Sequence, residues 1–397
     1  MRCENSDERD PCVATCIFHH TYVVTQALFR IALVYRETER PLARAADADE
    51  ATSDFFLRSL DKATRYRKCR HYDFYDYIDI KSGYPGHIPH LTMSSPVLVF
   101  GPTGAVGSAA AIEAHRRGAK VYLAMRDTKK PLKGIQEEGN SDSYVRVQAD
   151  LAKPETLKTA VSTSGAKTAF VYIVHEIQDG MRSSFEALKE AGVTYIALLS
   201  SFKVEDPLDS EVNKTDMIGA FHTTAESALR ATGISYTAVR PAYFNSNVFW
   251  NLADIKQGEV ELLYPNVRFD YLAPSDIGTV CGALLAEPRF QKEAGQSFYL
   301  CGPELFTQRE AHAVIGKALG KEVKVKEIDE EKWYKKLAYM PKPILDTLAR
   351  GMRESDSGRD DPYGKIYKEA VENVRKYTER EPMKLEDWVK ENQATFA

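Results

Sequence analysis

Three glycines spaced G-x-x-G-x-x-G, in Gly101-Pro102-Thr103-Gly104-Ala105-Val106-Gly107, point most directly to chemistry. Such a loop lets the backbone turn tightly, approach a pyrophosphate closely and pack a following helix against a preceding strand. The helix N-terminus then offers unpaired N–H groups to phosphate oxygens, and Gly101, Thr103, Gly104, Ala105, Val106 and Gly107 are expected to bind the cofactor. Arg126 stands nineteen residues after Gly107, where such a unit delivers a side chain to the adenosine ribose. An acid there suits the 2′-hydroxyl of NAD. An arginine suits the 2′-phosphate of NADP, and Lys130 adds a second cation. NADP(H) is therefore expected as the cofactor, with NAD(H) kept as the lesser alternative because Asp127 adjoins Arg126. Asp150 and Leu151, at the end of a third strand, are expected beside adenine. A helix N-cap before Lys153-Pro154-Glu155-Thr156 is an equal reading of Asp150.

The elements that must position these residues are legible around them. Val97-Leu98-Val99-Phe100 reads as a buried parallel strand and Ser108–Arg117 as a helix stopped by Gly118. Lys120–Met125, Tyr144–Ala149, Ala169–Val174, Tyr195–Leu199 and Tyr236–Val239 read as further strands. Helices are expected at Arg182–Ala191 and Thr215–Ala231, and Pro241 ends the last of these strands. Alternation of this kind is the pattern of a doubly wound parallel sheet, a Rossmann core. Beyond it, helix Ser275–Ala286, strand Ser297–Leu300, helix Gln308–Leu319, strand Glu322–Glu327 and a charged helical tail suggest a smaller C-terminal α+β lobe. Residues 354–362 are expected to form a polar loop within it.

The sequence thus divides into three parts: 1–92, a core at 93–250, and 251–397 completing the core and forming the lobe. The first part holds four of six cysteines, five of nine histidines and no sustained hydrophobic period; one helix-like piece runs from Thr25 to Arg36. It is expected to be a disordered extension or upstream sequence that is not native, with a natural start at Met93. In a chain of 397 residues with net charge −4, direct nucleic-acid binding is not expected. No apolar run of 18 residues exists, so no membrane span is expected. Cysteines 3, 12, 16, 69, 281 and 301 show neither a disulfide framework nor a complete zinc pattern. They read as thiols of a reducing compartment, cytoplasmic or nuclear, with no metal expected.

The sequence resembles the NmrA-like group of atypical short-chain dehydrogenases over about residues 95–397. The matching pieces are the strand and glycine loop Val97–Gly107, Arg126, Ala225-Glu226-Ser227-Ala228-Leu229, Thr232–Phe244 with its Arg240-Pro241, Ser275-Asp276-Ile277-Gly278, and Leu385–Asn392. The resemblance implies an NADP(H)-type cofactor and a cleft for a small-molecule substrate or a regulatory protein partner. Relatives divide between reductases of aromatic or quinone substrates and redox-responsive regulators, and the sequence leaves both open beside a catalytically dead scaffold for protein–protein interaction.

A short-chain dehydrogenase uses Tyr-x-x-x-Lys, in which the lysine lowers the pKa of a proton-moving tyrosine. The family spacing counted back from Glu226 puts Ile218 and His222 at those positions, so that mechanism is not expected. The single Tyr-x-x-x-Lys, Tyr77/Lys81, precedes the glycine loop. His222 is a candidate hydrogen-bond or proton donor near neutral pH. Ser200 is a candidate for polarising a substrate carbonyl, with Ser201, Lys203 and His175 nearby in the same reading. Tyr243, Phe244, Phe249 and Trp250 are expected to line an aromatic pocket, and packing between the lobes accounts for them as well.

Overall fold

A computed structural model describes residues 94–397, except 133, 136–142, 360 and 362. The expected extension 1–92, with Thr25–Arg36, Tyr77, Lys81 and the first four cysteines, lies outside the described residues. In chain order the core runs β1 (Ser94–Phe100), α1 (Ala105–Arg116), β2 (Ala119–Met125), β3 (Tyr144–Gln148), α2 (Pro154–Ser164) and β4 (Thr168–Tyr172). It continues with α3 (Arg182–Glu190), β5 (Tyr195–Leu199), α4 (Val212–Thr215), α5 (Met217–Thr232) and β6 (Ser235–Pro241).

A 3-10 helix (Asn245–Asn251) then leads to α6 (Leu252–Gln257), β7 (Glu259–Leu262), β8 (Arg268–Phe269), α7 (Pro274–Ala286), α8 (Pro288–Glu293) and β9 (Ser297–Leu300). The last part holds β10 (Phe306–Thr307), α9 (Gln308–Ala318), β11 (Lys324–Glu327), α10 (Glu330–Lys336) and α11 (Lys342–Asp356). A short 3-10 turn (Gly364–Ile366), α12 (Tyr367–Thr378), α13 (Leu385–Glu391) and α14 (Gln393–Phe396) end the chain.

Seven strands form one sheet in the order β3-β2-β1-β4-β5-β6-β9, every pair parallel. Period-two alternation sends Val97 and Val99 of β1 to one face and Leu98 and Phe100 to the other, and all four are buried. The first face carries α1, α7 and α12; the second carries α2, α3 and α5. Helices on both faces are why these strands read as continuous apolar runs. The architecture is the doubly wound Rossmann-like sheet that the alternation implied.

Helix α7 lies unusually close to α1. A Cβ on Gly278 would stand 2.3 Å from the Val106 carbonyl oxygen, and one on Gly282 would stand 2.5 Å from that of Ala110. Small residues on both helices let the backbones touch, so any side chain at those two glycines drives the helices apart.

The smaller lobe collects β7 paired parallel with β11, β8 paired antiparallel with β10, and helices α9 to α11. Its core joins Ile255, Val260, Leu262, Ile315, Trp388 and Val389. β7 went unread because Glu259-Val260-Glu261-Leu262 is too short and too charged to signal a strand.

Several boundaries differ from expectation. Helix α1 begins at Ala105, inside the glycine loop, since Gly104 already serves as its N-cap. The helix expected at Thr215–Ala231 is split: Asp216 leaves the helical region and its carboxylate accepts from the Gly219 N–H, starting α5 anew. Helix α11 runs to Asp356, into the expected polar loop, and β11 begins at Lys324. No helix among the described residues is long and apolar enough to cross a membrane.

Candidate functional site

Strand order reverses direction between β1 and β4, which opens a crevice beyond their carboxyl ends. The glycine loop fills this position. Gly101 has φ +65°, and a Cβ there would stand 2.7 Å from the Tyr172 ring at the end of β4. A Cβ on Gly107 would stand 2.3 Å from the Gly101 carbonyl oxygen. At Gly104 the nearest atom would be 3.5 Å away, so that glycine leaves open space rather than relieving a clash. Thr103, Gly104 and Ala105 are exposed, while Val106 and Gly107 are buried beneath them. Gly104 has an extended backbone and no side chain to cap α1, which leaves the first-turn N–H groups facing the crevice. The cradle is thus crowded at Gly101 and Gly107, open at Gly104 and lined with free N–H donors, the arrangement that suits an anion.

Arg126 and Lys130 are exposed beyond β2, and no carboxylate lies within 4 Å of either among the described residues. Asp150 is half-buried. Its carboxylate accepts from the Ala152 N–H at 3.0 Å, so it closes a local turn. The N-cap of α2 is Lys153 instead, which settles the alternative reading of Asp150 against capping. The Leu151 side chain is buried in the core and its carbonyl accepts from Ser184 Oγ, leaving only backbone for any ligand. Tyr172 is the member that sequence reasoning missed. Burial raises its phenol above the ordinary range, against the pull of nearby Arg126. Its signal was faint: the closing residue of an apolar run beside the switch point.

The expected catalytic positions meet near the ends of β4 and β5. Ile218 and His222 lie one turn apart on α5, and the His222 ring stands 5.6 Å from that of His175. His222 Nδ1 lies 2.8 Å from the Ile218 carbonyl oxygen. A carbonyl only accepts, so Nδ1 carries the hydrogen and Nε2 keeps a lone pair. Burial, reinforced by His175, lowers the His222 pKa to about 4. The ring is thus neutral at neutral pH with an acceptor at Nε2, unlike the donor titrating near neutrality that the sequence led us to expect.

Ser200 is buried and donates to Glu226. Glu226 in turn pairs with Arg240 at 2.7 Å, and Arg240 reaches Asp206 at 2.7 Å. This network ties β5, α5 and β6 together, and the Ser200 hydroxyl is committed to it.

A cavity of about 340 Å³ opens beside these residues. Ser201, Lys203 and Ile218 form its core side; Trp333, Leu348 and Gly351 are among its lobe side. Tyr243 and Trp250 line it as expected. Phe244 and Phe249 do not: Phe244 packs against the sheet core, and Phe249 packs between Trp388 and Phe396. Phe244 is still extended and bridges to Leu272, which puts its ring on the sheet side, opposite Tyr243; Phe249 follows within a 3-10 helix whose pitch separates it from Trp250. Asp270 braces the wall, accepting from the Tyr243 and Gly302 N–H groups and from the Tyr363 hydroxyl. Burial pushes its carboxyl up to about 6 despite those bonds. Cys281 and Cys301 are free and buried away from the crevice, and no cluster among the described residues has the donors for a metal ion.

Known proteins resemble this chain in both sequence and fold. A nitrogen metabolite regulation-like protein of Gibberella fujikuroi is 34% identical over 324 residues, 76% of this chain and 97% of its own length. A (4-alkanoyl-5-oxo-2,5-dihydrofuran-3-yl)methyl phosphate reductase of Streptomyces griseus is 26% identical over 304 residues, covering 76% and 99%. Among solved structures, an NADPH-dependent quinone oxidoreductase of Escherichia coli complexed with NADPH superposes with a TM-score of 0.58. It is 19% identical, covering 75% of this chain and 99% of that one. The NmrA-like family model matches residues 93–389, and the chain belongs to that family.

Proposed function

We propose that this protein binds NADP(H) and reduces quinone, aromatic or carbonyl compounds in the cavity beside the nicotinamide position. The observation that carries the reading is the apolar cavity of about 340 Å³, walled on one side by Ser201 beyond the end of β5 and by Ile218 in the first turn of α5. Gly101, Thr103, Gly104, Ala105, Val106 and Gly107 would hold the pyrophosphate. Arg126 and Lys130 would hold the 2′-phosphate, and Asp150 with the Leu151 backbone the adenine. When bound, the dihydronicotinamide supplies a hydride. His222 Nε2 would accept a hydrogen bond from a ribose hydroxyl and so orient the ring; Ile218 cannot move a proton. An acceptor such as a quinone needs little proton assistance, which fits a site without the tyrosine–lysine pair. The cytoplasm or nucleus would provide the NADPH.

A redox-responsive regulator is the second reading. It is favoured by that missing pair and by the relative from Gibberella fujikuroi, named for nitrogen metabolite regulation. One experiment separates the two. The protein is titrated calorimetrically with NADP⁺, NADPH, NAD⁺ and NADH, then assayed for NADPH oxidation with a panel of quinones and enals. Turnover supports the reductase. Binding without turnover, with a strong preference for one redox form, supports the regulator, and absence of binding overturns both.

A further inference from the structure

The charged lining of the cavity is all of one sign. Lys203, Arg268 and Lys336 face it, and no aspartate or glutamate does. Two of the three have acidic partners behind the wall. Lys336 is bonded to Asp254 and to the Glu261 carbonyl. Lys203 lies 3.8 Å from Asp216, but Arg350 lies 3.8 Å from the same carboxylate, which also caps α5. One acid thus serves two cations there.

Arg268 has no carboxylate within 4 Å among the described residues, and its guanidinium makes a long contact, 3.4 Å from Nη2 to the Leu305 carbonyl oxygen. Glu310 is near enough to feel its charge, but Glu310 Oε2 already accepts from the Thr307 N–H and hydroxyl. The neighbouring wall is flat and aromatic: the Tyr243 and Phe269 rings stack with centroids 4.1 Å apart.

We infer that the cavity selects aromatic monoanions, a flat ring system bearing one carboxylate or phenolate, with the Arg268 guanidinium as counter-charge. A guanidinium matches a carboxylate with two parallel hydrogen bonds, and the aromatic wall takes the ring body. A cationic ligand would meet three like charges. A neutral one would gain the stacking and forgo the ion pair. The inference rests on the reading of this cavity as the substrate site.

The protein provides its own probe, since Trp250 and Trp333 line the cavity and the third tryptophan, Trp388, is buried outside its lining. Quenching of tryptophan emission by anthraquinone-2-carboxylate and by its neutral carboxamide is measured on the full chain, with and without NADP⁺. A charge-assisted pair of about 1.5–3 kcal/mol corresponds to roughly 10- to 100-fold tighter binding of the carboxylate. The selectivity should vanish in Arg268→Gln and survive in part in Arg268→Lys. Because Arg268 is exposed and outside every apolar cluster, both variants should fold. Equal affinity of the two probes for the native chain would overturn the anionic preference alone. Selectivity unchanged in Arg268→Gln would overturn the assignment to Arg268. Quenching by neither probe would instead overturn the substrate-site reading beneath it.

Discussion

Glu226 and Arg240 pair at 2.7 Å with each side chain only 1% exposed, in the interior between α5 and β6. The two residues belong to the sequence pieces that carry the family resemblance, so part of that signature serves architecture rather than chemistry. Removing one partner of such a pair strands a buried charge. Glu226→Gln should destabilise the fold by about 3 kcal/mol. Asp206→Asn, at the exposed end of the same network, should cost under about 1 kcal/mol. Urea unfolding of both variants, with dinucleotide affinity measured on the folded protein, checks the ordering.

The three glycines of the loop should fail in different ways. Gly107→Ala places a Cβ 2.3 Å from the Gly101 carbonyl oxygen and should disturb the loop itself, lowering stability and binding together. Gly101→Ala pays for a left-handed backbone, about 1–2 kcal/mol, besides meeting the Tyr172 ring. Gly104→Ala meets nothing closer than 3.5 Å and should fold normally, yet lose dinucleotide affinity because the methyl occupies the phosphate's approach. Thermal unfolding and calorimetric titration, run side by side, distinguish these outcomes.

Arg126→Ala should cost NADPH and spare NADH. A lost charge-assisted contact of about 1.5–3 kcal/mol corresponds to roughly 10- to 100-fold in Kd. Equal weakening of both dinucleotides would show that Arg126 does not read the 2′-phosphate.

His222 should give acid sensitivity of defined sign. Its pKa falls from 6.5 to about 4 in the folded protein, so the unfolded chain binds more protons between those values. The stability that the neutral ring contributes is fully present above about pH 6.5 and is lost as pH falls toward 4. Asp270 and Asp276, both raised to about 6 by burial, act in the opposite sense over an overlapping range. The difference between wild type and His222→Gln isolates the histidine. Wild type should lead by more at pH 7 than at pH 4.5, as denaturant titrations at the two pH values would reveal.

Gly351 offers a way to fill the cavity without touching the dinucleotide cradle. A Cβ there meets only the end of Lys203, at 3.8 Å. Gly351→Phe should retain the fold and NADPH affinity while weakening binding of an aromatic acceptor by about tenfold, the scale of a ligand displaced from an apolar pocket. Stopped-flow and steady-state assays with a naphthoquinone would report it as a rise in KM.

The Rossmann core was legible because its strands are buried on both faces and its glycine loop has a local cause in backbone geometry. The position of Arg126 just beyond β2 was legible by counting along the chain, since a parallel unit fixes where the second strand ends. The cavity was half legible. Tyr243 and Phe244 follow β6 closely and alternate between faces, but whether Phe249 or Trp250 faces the cavity depends on the 3-10 helix, which no periodicity announced. Lys203, Arg268 and Lys336 come from three distant segments, and only folding brings their like charges around one cavity. Ser200 and His222 were visible as residue types. What engages them, Glu226 and the Ile218 carbonyl, is set by tertiary packing and helix geometry.

The contact between α1 and α7 has a consequence for biosynthesis. Ala110 leaves the ribosome about 170 residues before Gly282, which must cover it. At roughly 5–20 residues per second, the alanine-rich face behind the glycine loop stays bare for on the order of 10–30 s in each round of translation. During that interval the nascent chain carries an uncovered apolar helix beside a sheet with its final strand, β9, still unmade. It is then that a chaperone would have most to hold.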